Sequence, residues 1–348
     1  MEIIYLCKRE KRNLSMKSII GVGNALTDIL AVLPNDSLLK KFHLPVGSMQ
    51  LVDEETGGKI WQILKEQGVQ YVAGGSAANA ISGTSIFGMP SGFIGKVGDD
   101  ELGSLFKSAQ EVNGIKPILL KGKAASGRAM VFITPPSGER TFADYLGAAL
   151  ELCPEDLKPE YFKGYDYLHI EGYLVQNQEL IRRAVEIGKS LGMTISLDLA
   201  SYNIVESNNA FLHDVISHYV DIVFANELEA QSFTKLKPEL AVREIAKICK
   251  IAVVKIGKQG SLIQSGSKFY KIKARPADIV DATGAGDIYA AGFLFAHAND
   301  MPLEICGEVG SIISAKVVEV VGPKVDVPRW KVAKQEIKAM MRAINPDL

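Results

Sequence analysis
The chain has 348 residues, 39 Lys plus Arg against 40 Asp plus Glu, a formal net charge of -1, and a composition that is 47% hydrophobic and 23% charged. Such a balance describes a soluble globular protein, either one large α/β unit or about two domains, and it argues against a basic nucleic-acid binder. Glycine is in excess at 32 residues, about 9% against a usual value of about 7%.

Residues 1–15 hold a basic cluster with no apolar stretch behind it, which argues against a signal peptide and marks a disordered or mis-started extension. Folded structure is expected from Met16, with a first strand over 18–23. Residues 29–55 and 115–147 carry strand-like runs, including 129–134 before the turn Pro135-Pro136-Ser137-Gly138, and are expected to form a small antiparallel lid. The segment 68–95 contains no Asp, Glu, Lys or Arg, yet its seven glycines, Pro90 and polar residues exclude a membrane span. Farther along, strands alternate with helices. Asn177 caps a helix with Leu180, Ile181, Ala184, Val185 and Leu191 on its apolar face, Gly192 ends it, and a strand over 194–197 brings Asp198 to its carboxyl end. The same alternation recurs around 221–225 and 251–255, which argues for a parallel sheet covered on both faces. No period of 20 to 50 residues recurs. Cys7, Cys153, Cys249 and Cys306 are too far apart for a zinc site and read as reduced thiols.

Gly21-Val22-Gly23-Asn24-Ala25-Leu26 opens like a dinucleotide fingerprint, but Leu26 replaces the third glycine. Asn24 and Asp28 remain as polar groups past a strand, readable as turn former and surface carboxylate or as ligands. Gly74 and Gly75 admit close approach of a ligand to the backbone, and Asn79 offers both donor and acceptor; a plain helix start is the alternative. Gly188-Lys189-Ser190 is no P-loop, because Arg183 stands where its first glycine belongs and the segment is helical. Asn226 and Glu229 have the spacing of a capping box, with ordering of magnesium as the other reading. Lys255, Gly257 and Gly260 form either a tight turn or a loop that admits a nucleotide. The sharpest signal is Asp281-Ala282-Thr283-Gly284-Ala285-Gly286-Asp287 ahead of an apolar helix. Small residues at a helix N-terminus expose N–H groups to an anion, and a carboxylate among them suits a base that takes a proton from an attacking hydroxyl.

In this order the segments resemble the ribokinase, or PfkB, family of ATP-dependent sugar and nucleoside kinases over about residues 18–325. Gly74 to Asn79, the continuation Gly95-Lys96-Val97-Gly98-Asp99-Asp100-Glu101-Leu102-Gly103 and the signature from Asp281 to Asp287 carry the resemblance. The start at Gly23-Asn24 with Asp28 four residues on, Ser76 after the two glycines, Glu171-Gly172-Tyr173 and Ala225-Asn226-Glu227-Leu228-Glu229-Ala230 look most like the adenosine kinase branch. The resemblance implies a ribokinase-like three-layer αβα sandwich over 16–348, with a mainly parallel central sheet and the small antiparallel β lid. It implies Asp287 as general base, Gly284, Ala285 and Gly286 as anion hole, and Asn24, Asp28, Gly74, Gly75 and Asn79 around substrate hydroxyls. Asn226 and Glu229 would order Mg2+ and the ATP phosphates, with Lys255, Gly257 and Gly260 beside the nucleotide; Lys255 departs from the Thr of many relatives. Asp281 would help a monovalent-cation (K+) loop.

The resulting expectation is a cytoplasmic enzyme, monomer or homodimer, moving the γ-phosphoryl group of ATP to a primary hydroxyl, foremost the 5′-hydroxyl of adenosine. Competing readings are a kinase of ribose, fructose or keto-deoxygluconate, and a nucleotide-binding protein without turnover. Phe132, Phe142 and Tyr145 are available to stack on a base, but sequence does not say which way they point.

Overall fold
The computed structural model describes residues 16–66, 69–134, 139–320, 322 and 327–346. Residues 1–15 and the 135–138 turn lie outside them.

Nine strands form the larger sheet: β1 (Ile19–Val22), β5 (Ser91–Val97), β6 (Ile115–Lys121), β9 (Tyr167–Glu171), β10 (Thr194–Asp198), β11 (Ile222–Asn226), β12 (Ile251–Lys255), β13 (Ser261–Ser265) and β14 (Lys268–Ile272). The smaller sheet takes β2 (Leu26–Val32), β3 (Met49–Leu51), β4 (Gln70–Gly74), β7 (Gly127–Thr134) and β8 (Glu139–Tyr145). The large sheet runs β14-β13-β12-β11-β10-β9-β1-β5-β6, parallel from β12 to β6, with β13 and β14 added antiparallel at one edge.

Continuous apolar runs fit its centre because both faces are covered. In β1, Ile19 belongs to the core under the helices Ser76–Ile86, Ala285–Ala298, Leu303–Val317 and Val327–Ile344. Its neighbour Ile20 belongs to the opposite core, under Gln178–Ser190, Asn209–Tyr219, Glu227–Thr234 and Pro238–Ile245. Strand parity thus builds the expected αβα layers from adjacent isoleucines. The helix Gln178–Ser190 starts where the Asn177 side chain accepts from the Leu180 N–H, buries Leu180, Ile181, Ala184 and Val185, and is followed by Gly192 at φ 71°.

The smaller sheet stands over the carboxyl ends of the large one and differs in extent from the lid segments expected from sequence. It begins at Leu26, so Asp28 is itself on the lid, and it includes β4, outside both segments. Residues 115–121, expected in the lid, pair parallel to β5 in the large sheet. An apolar Ile-Leu-Leu run reads alike at the edge of either sheet, so local pattern could not assign it. Within the lid, β2/β4 and β7/β8 are antiparallel, whereas β2/β7 and β3/β8 are parallel. One lid face packs Ile29, Met130 and Phe132 against Leu39, Ile60 and Leu64 from the chain's own helices; the other faces the cleft. Among the described residues no helix is long and apolar enough to cross a membrane.

Helices Ser76–Ile86 and Ala285–Ala298 approach so closely at Gly83 that a Cβ there would lie 2.5 Å from the Ala291 Cβ and 3.1 Å from Ile288 Cδ1. Replacing Gly83 by Val gains a few tenths of a kcal/mol in helix propensity but overpacks the contact at a cost of about 1–3 kcal/mol. Gly83→Val is therefore expected to lower the thermal midpoint; an unchanged or raised midpoint in a melting experiment would refute this packing account.

Candidate active site
The large sheet assembles the first wall of the site by register. Glu171, Asp198, Asn226 and Lys255 are the last residues of β9, β10, β11 and β12, and Glu171 pairs with Asp198 and Asn226 with Lys255. Four polar side chains thus meet at the carboxyl edge of a parallel sheet, where open α/β folds collect ligands. Between this edge and the lid lies a cleft of about 1680 Å³, more than the roughly 300–1,000 Å³ that one small ligand occupies. It has room for two.

Glu171 organises one side of the cleft. Its Oε1 accepts from the Asn24 backbone N–H at 2.9 Å and from Asn24 Nδ2 at 2.7 Å, and its Oε2 accepts from the Ala77 N–H at 2.8 Å. The carboxylate so clasps the end of β1 to the start of the helix Ser76–Ile86. Burial pushes the Glu171 carboxyl up to about 7 despite those donors. The glycines are steric requirements: Gly75 has φ 95° and a Cβ there would lie 2.2 Å from the Asn24 carbonyl oxygen, while a Cβ on Gly74 would strike the Asp28 carboxylate. Asn24, Asp28, Gly75 and Asn79 line the cleft, and Gly74 supports Asp28 from behind.

Asp287 sits in the first turn of Ala285–Ala298, where its carboxylate accepts from Ser76 Oγ at 2.8 Å and Asn79 Nδ2 at 3.0 Å. Burial, reinforced by the charge of Asp198, pushes Asp287 up to about 6, with Asn79, Ser76 and Lys255 opposing. Gly284 caps the helix at φ 73°. The Ala285 N–H bonds the Ala282 carbonyl at 3.2 Å, leaving the N–H groups of Gly284, Gly286 and Asp287 without a partner among the described residues. The three free donors come from Gly284, Gly286 and Asp287 rather than from Gly284, Ala285 and Gly286.

Lys255 reaches inward and pairs with Asp198 Oδ2 at 2.7 Å. Its Nζ lies 3.0 Å from where a Gly286 Cβ would stand, so the missing side chain makes room for the ammonium. Burial works against the Lys255 charge, but Asp198 and Glu229 outweigh it and hold the ammonium above its ordinary value. Asn226 and Glu229 form the capping box: the Asn226 side chain accepts from the Glu229 N–H, and Glu229 accepts from both nitrogens of Asn226. Glu229 is only 2% exposed, and no cluster of three metal-ligating side chains exists among the described residues. The donor set fits a magnesium ion held through water and phosphate oxygens, not an all-protein cage. Gly257 and Gly260 line the same cleft on the Lys255 side.

Asp281 lies just behind the cleft. Its Oδ2 pairs with Arg140 at 2.7 Å and accepts from the Gly322 N–H, and its Oδ1 accepts from Thr283. The carboxylate expected to shape a K+ loop is here committed to a lid arginine. Strand parity also sorts the lid aromatics: Phe142 lines the cleft, Phe132 is fully buried in the lid core, and Tyr145 packs under Arg128. Glu171, Asp198, Ser76 and Arg140 belong to the site although no role was expected of them. In sequence Ser76 and Glu171 stand out only as part of the family resemblance and Asp198 as the end of a strand, signals that name a wall but not a partner.

A helix N-terminus with free amides, a buried carboxylate beside it, and a cleft for two ligands define a phosphotransferase acting on an alcohol group. The pfkB family carbohydrate kinase model matches residues 49–330, and the chain belongs to that family. It is 27% identical to an adenosine kinase of Schizophyllum commune over 92% of this chain and 100% of that one. A probable sugar kinase protein from Rhizobium etli superposes with TM-score 0.82 at 31% identity, covering 93% of this chain and 99% of that one. Adenosine kinase from Sinorhizobium meliloti gives TM-score 0.81 at 30% identity, with 92% and 100% covered. The chain is accordingly a nucleoside or sugar kinase near the adenosine kinase branch.

The Glu171 clasp has a pH signature. Its folded pKa of about 7 exceeds the ordinary 4.5, so the folded state holds a proton that the unfolded chain releases; this contribution to stability is full below about 4.5 and is lost as pH rises to about 7. Glu171→Gln, whose Nε2 opposes the Ala77 N–H, is expected to lose stability at every pH but to regain ground on the wild type between pH 5 and 7. Parallel stability-against-pH curves for the two proteins in urea unfolding would rule the assignment out.

Proposed function
We propose that this kinase transfers the γ-phosphoryl group of ATP to the 5′-hydroxyl of a ribonucleoside, foremost adenosine, with Asp287 as general base. The observation that carries the reading is the placement of Asp287, fixed by Ser76 and Asn79 at the mouth of an amide-lined helix N-terminus. A carboxyl near 6 is largely ionised at neutral pH yet retains proton affinity, the compromise required of a base that works there. Bound MgATP supplies the phosphoryl group and neutralises much of its charge. The chain's residues do the rest. Asp287 takes the hydroxyl proton as the new P–O bond forms. The N–H groups of Gly284 and Gly286, with Lys255 behind them, stabilise charge on the transferring oxygens. Asn24, Asp28 and Asn79 hold the acceptor's hydroxyls, with Gly74 and Gly75 giving the space, and Asn226 and Glu229 order the water shell of Mg2+. Gly257 and Gly260 leave room for the nucleotide beside Lys255.

The nucleoside reading is supported by the lid. Its cleft face presents Leu30, Val131, Phe142 and Leu51, a flat apolar wall suited to a heterocycle, whereas a free sugar calls for more hydrogen-bonding groups. A free-sugar acceptor is the second reading, favoured by the likeness to the Rhizobium etli protein. An ATP-consumption screen over adenosine, inosine, guanosine, ribose, fructose and keto-deoxygluconate decides between them; strong selectivity for a free sugar would overturn the nucleoside assignment. For Asp287→Asn, turnover is expected to fall by about 10²–10⁴ with acceptor binding largely kept, and near-normal turnover would remove Asp287 from the role of base.

A further inference from the structure
One residue on the cleft face of the lid is left without a reason by both the fold and the chemistry above. Asp144 follows Arg140 and Phe142 at every second position of β8, so its side chain turns to the cleft, which it lines together with Asp287. It is 9% exposed, and its Oδ1 has no hydrogen-bond partner among the described residues. Among the described residues no cation offsets its burial, which raises the carboxyl to about 7. An unpaired buried carboxyl destabilises a fold, and an apolar residue would suit the surrounding Leu51 and Phe142 better. A polar group kept unsatisfied at the wall of a ligand cleft is explained when the ligand supplies its partner.

Register says where on the ligand that partner must lie. Asp28, Ala129, Asp144 and Leu51 form one row across β2, β7, β8 and β3. Neighbouring strands are about 4.8 Å apart, so Asp28 and Asp144 stand about 10 Å apart on one wall, with only the methyl group of Ala129 between them. A ribose held at Asp28 directs its base across Ala129 toward Asp144.

We propose that Asp144 is a specificity-determining residue that accepts a hydrogen bond from an N–H group on the base of a ribonucleoside acceptor while Asp28 holds the ribose. The inference rests on the nucleoside reading and adds a rule for choosing among nucleosides: bases with an N–H on the edge facing the lid are preferred.

Adenosine and purine riboside test it, because they share a ring system and only adenosine carries an N–H on the base. Wild-type kcat/KM is expected to favour adenosine by about 10- to 100-fold, the range for a hydrogen bond to a charged group. In Asp144→Leu the ratio should fall to near unity through loss with adenosine alone. Asp144→Asn, which keeps an acceptor oxygen, should restore part of the preference. The unliganded Leu variant should melt at or above the wild-type temperature, since an unpaired carboxyl has been removed; Asp144→Ala is the second truncation, read in the same way. A wild-type ratio near unity, or a preference that survives in both truncations, overturns the role of Asp144 and leaves the nucleoside reading standing. A wild-type enzyme that phosphorylates free sugars and no nucleoside overturns both.

Discussion

The three hydrogen bonds accepted by Glu171 are the constraint on which the site depends. They join three elements distant in sequence: the end of β1, the end of β9 and the start of the helix Ser76–Ile86. The side of the cleft formed by Asn24, Gly75, Ser76 and Asn79 is referenced to this clasp. Asn24 is oriented by it directly, and Gly75, against the Asn24 carbonyl, cannot be larger while it holds. Ser76 and Asn79, on the helix so anchored, then fix the carboxylate of Asp287. A buried acid that satisfies two backbone N–H groups cannot be replaced by an apolar residue without leaving those donors orphaned.

Around this clasp the site concentrates negative charge in a region short of water. Asp198, Glu229 and Asp287 share one ammonium, that of Lys255. Burial above all, and the charge of Asp198 after it, leave the Glu229 and Asp287 pKa values raised although Lys255 opposes, which makes the cleft a place where a divalent ion relieves repulsion rather than adding to a finished cage. The helix N-terminus at Gly284 offers backbone amides and a dipole instead, which contribute partial positive charge without a basic surface. The near-neutral composition of the chain and a site for a highly charged nucleotide are therefore compatible.

What could be read from sequence follows how local each feature is. The segment from Asp281 to Asp287 is contiguous, so its small residues, helix start and carboxylate were visible together, and Asn226 with Glu229 form the cap that their spacing suggests. The partner of Lys255 lies 57 residues away, and those of Glu171 lie 94 and 147 away; no spacing rule reaches so far, and only strand order brings them together. The same holds for the lid. Alternation identified β7, but placing 115–121 in the large sheet required knowing its neighbour. The direction of Phe142 against that of Phe132 required knowing which face the chain's own helices cover. Asp144 could not be noticed at all, since a lone Asp in a strand looks like a surface residue until its burial is seen.

The ion pair between Arg140 and Asp281 carries a consequence for how the enzyme responds to its medium. It ties the lid to the loop before the helix Ala285–Ala298, and its side chains are only 14% and 4% exposed. An exposed pair such as Lys121 with Asp99 is screened by salt over a Debye length of about 8 Å at physiological ionic strength, whereas a pair enclosed in protein is not. Separating the pair would return two desolvated charges to water, and dissolved ions do little to ease that separation. The tie between lid and loop is thereby insulated from the ionic composition around the protein, although the nucleotide that a kinase takes is itself a polyanion arriving through that same solution.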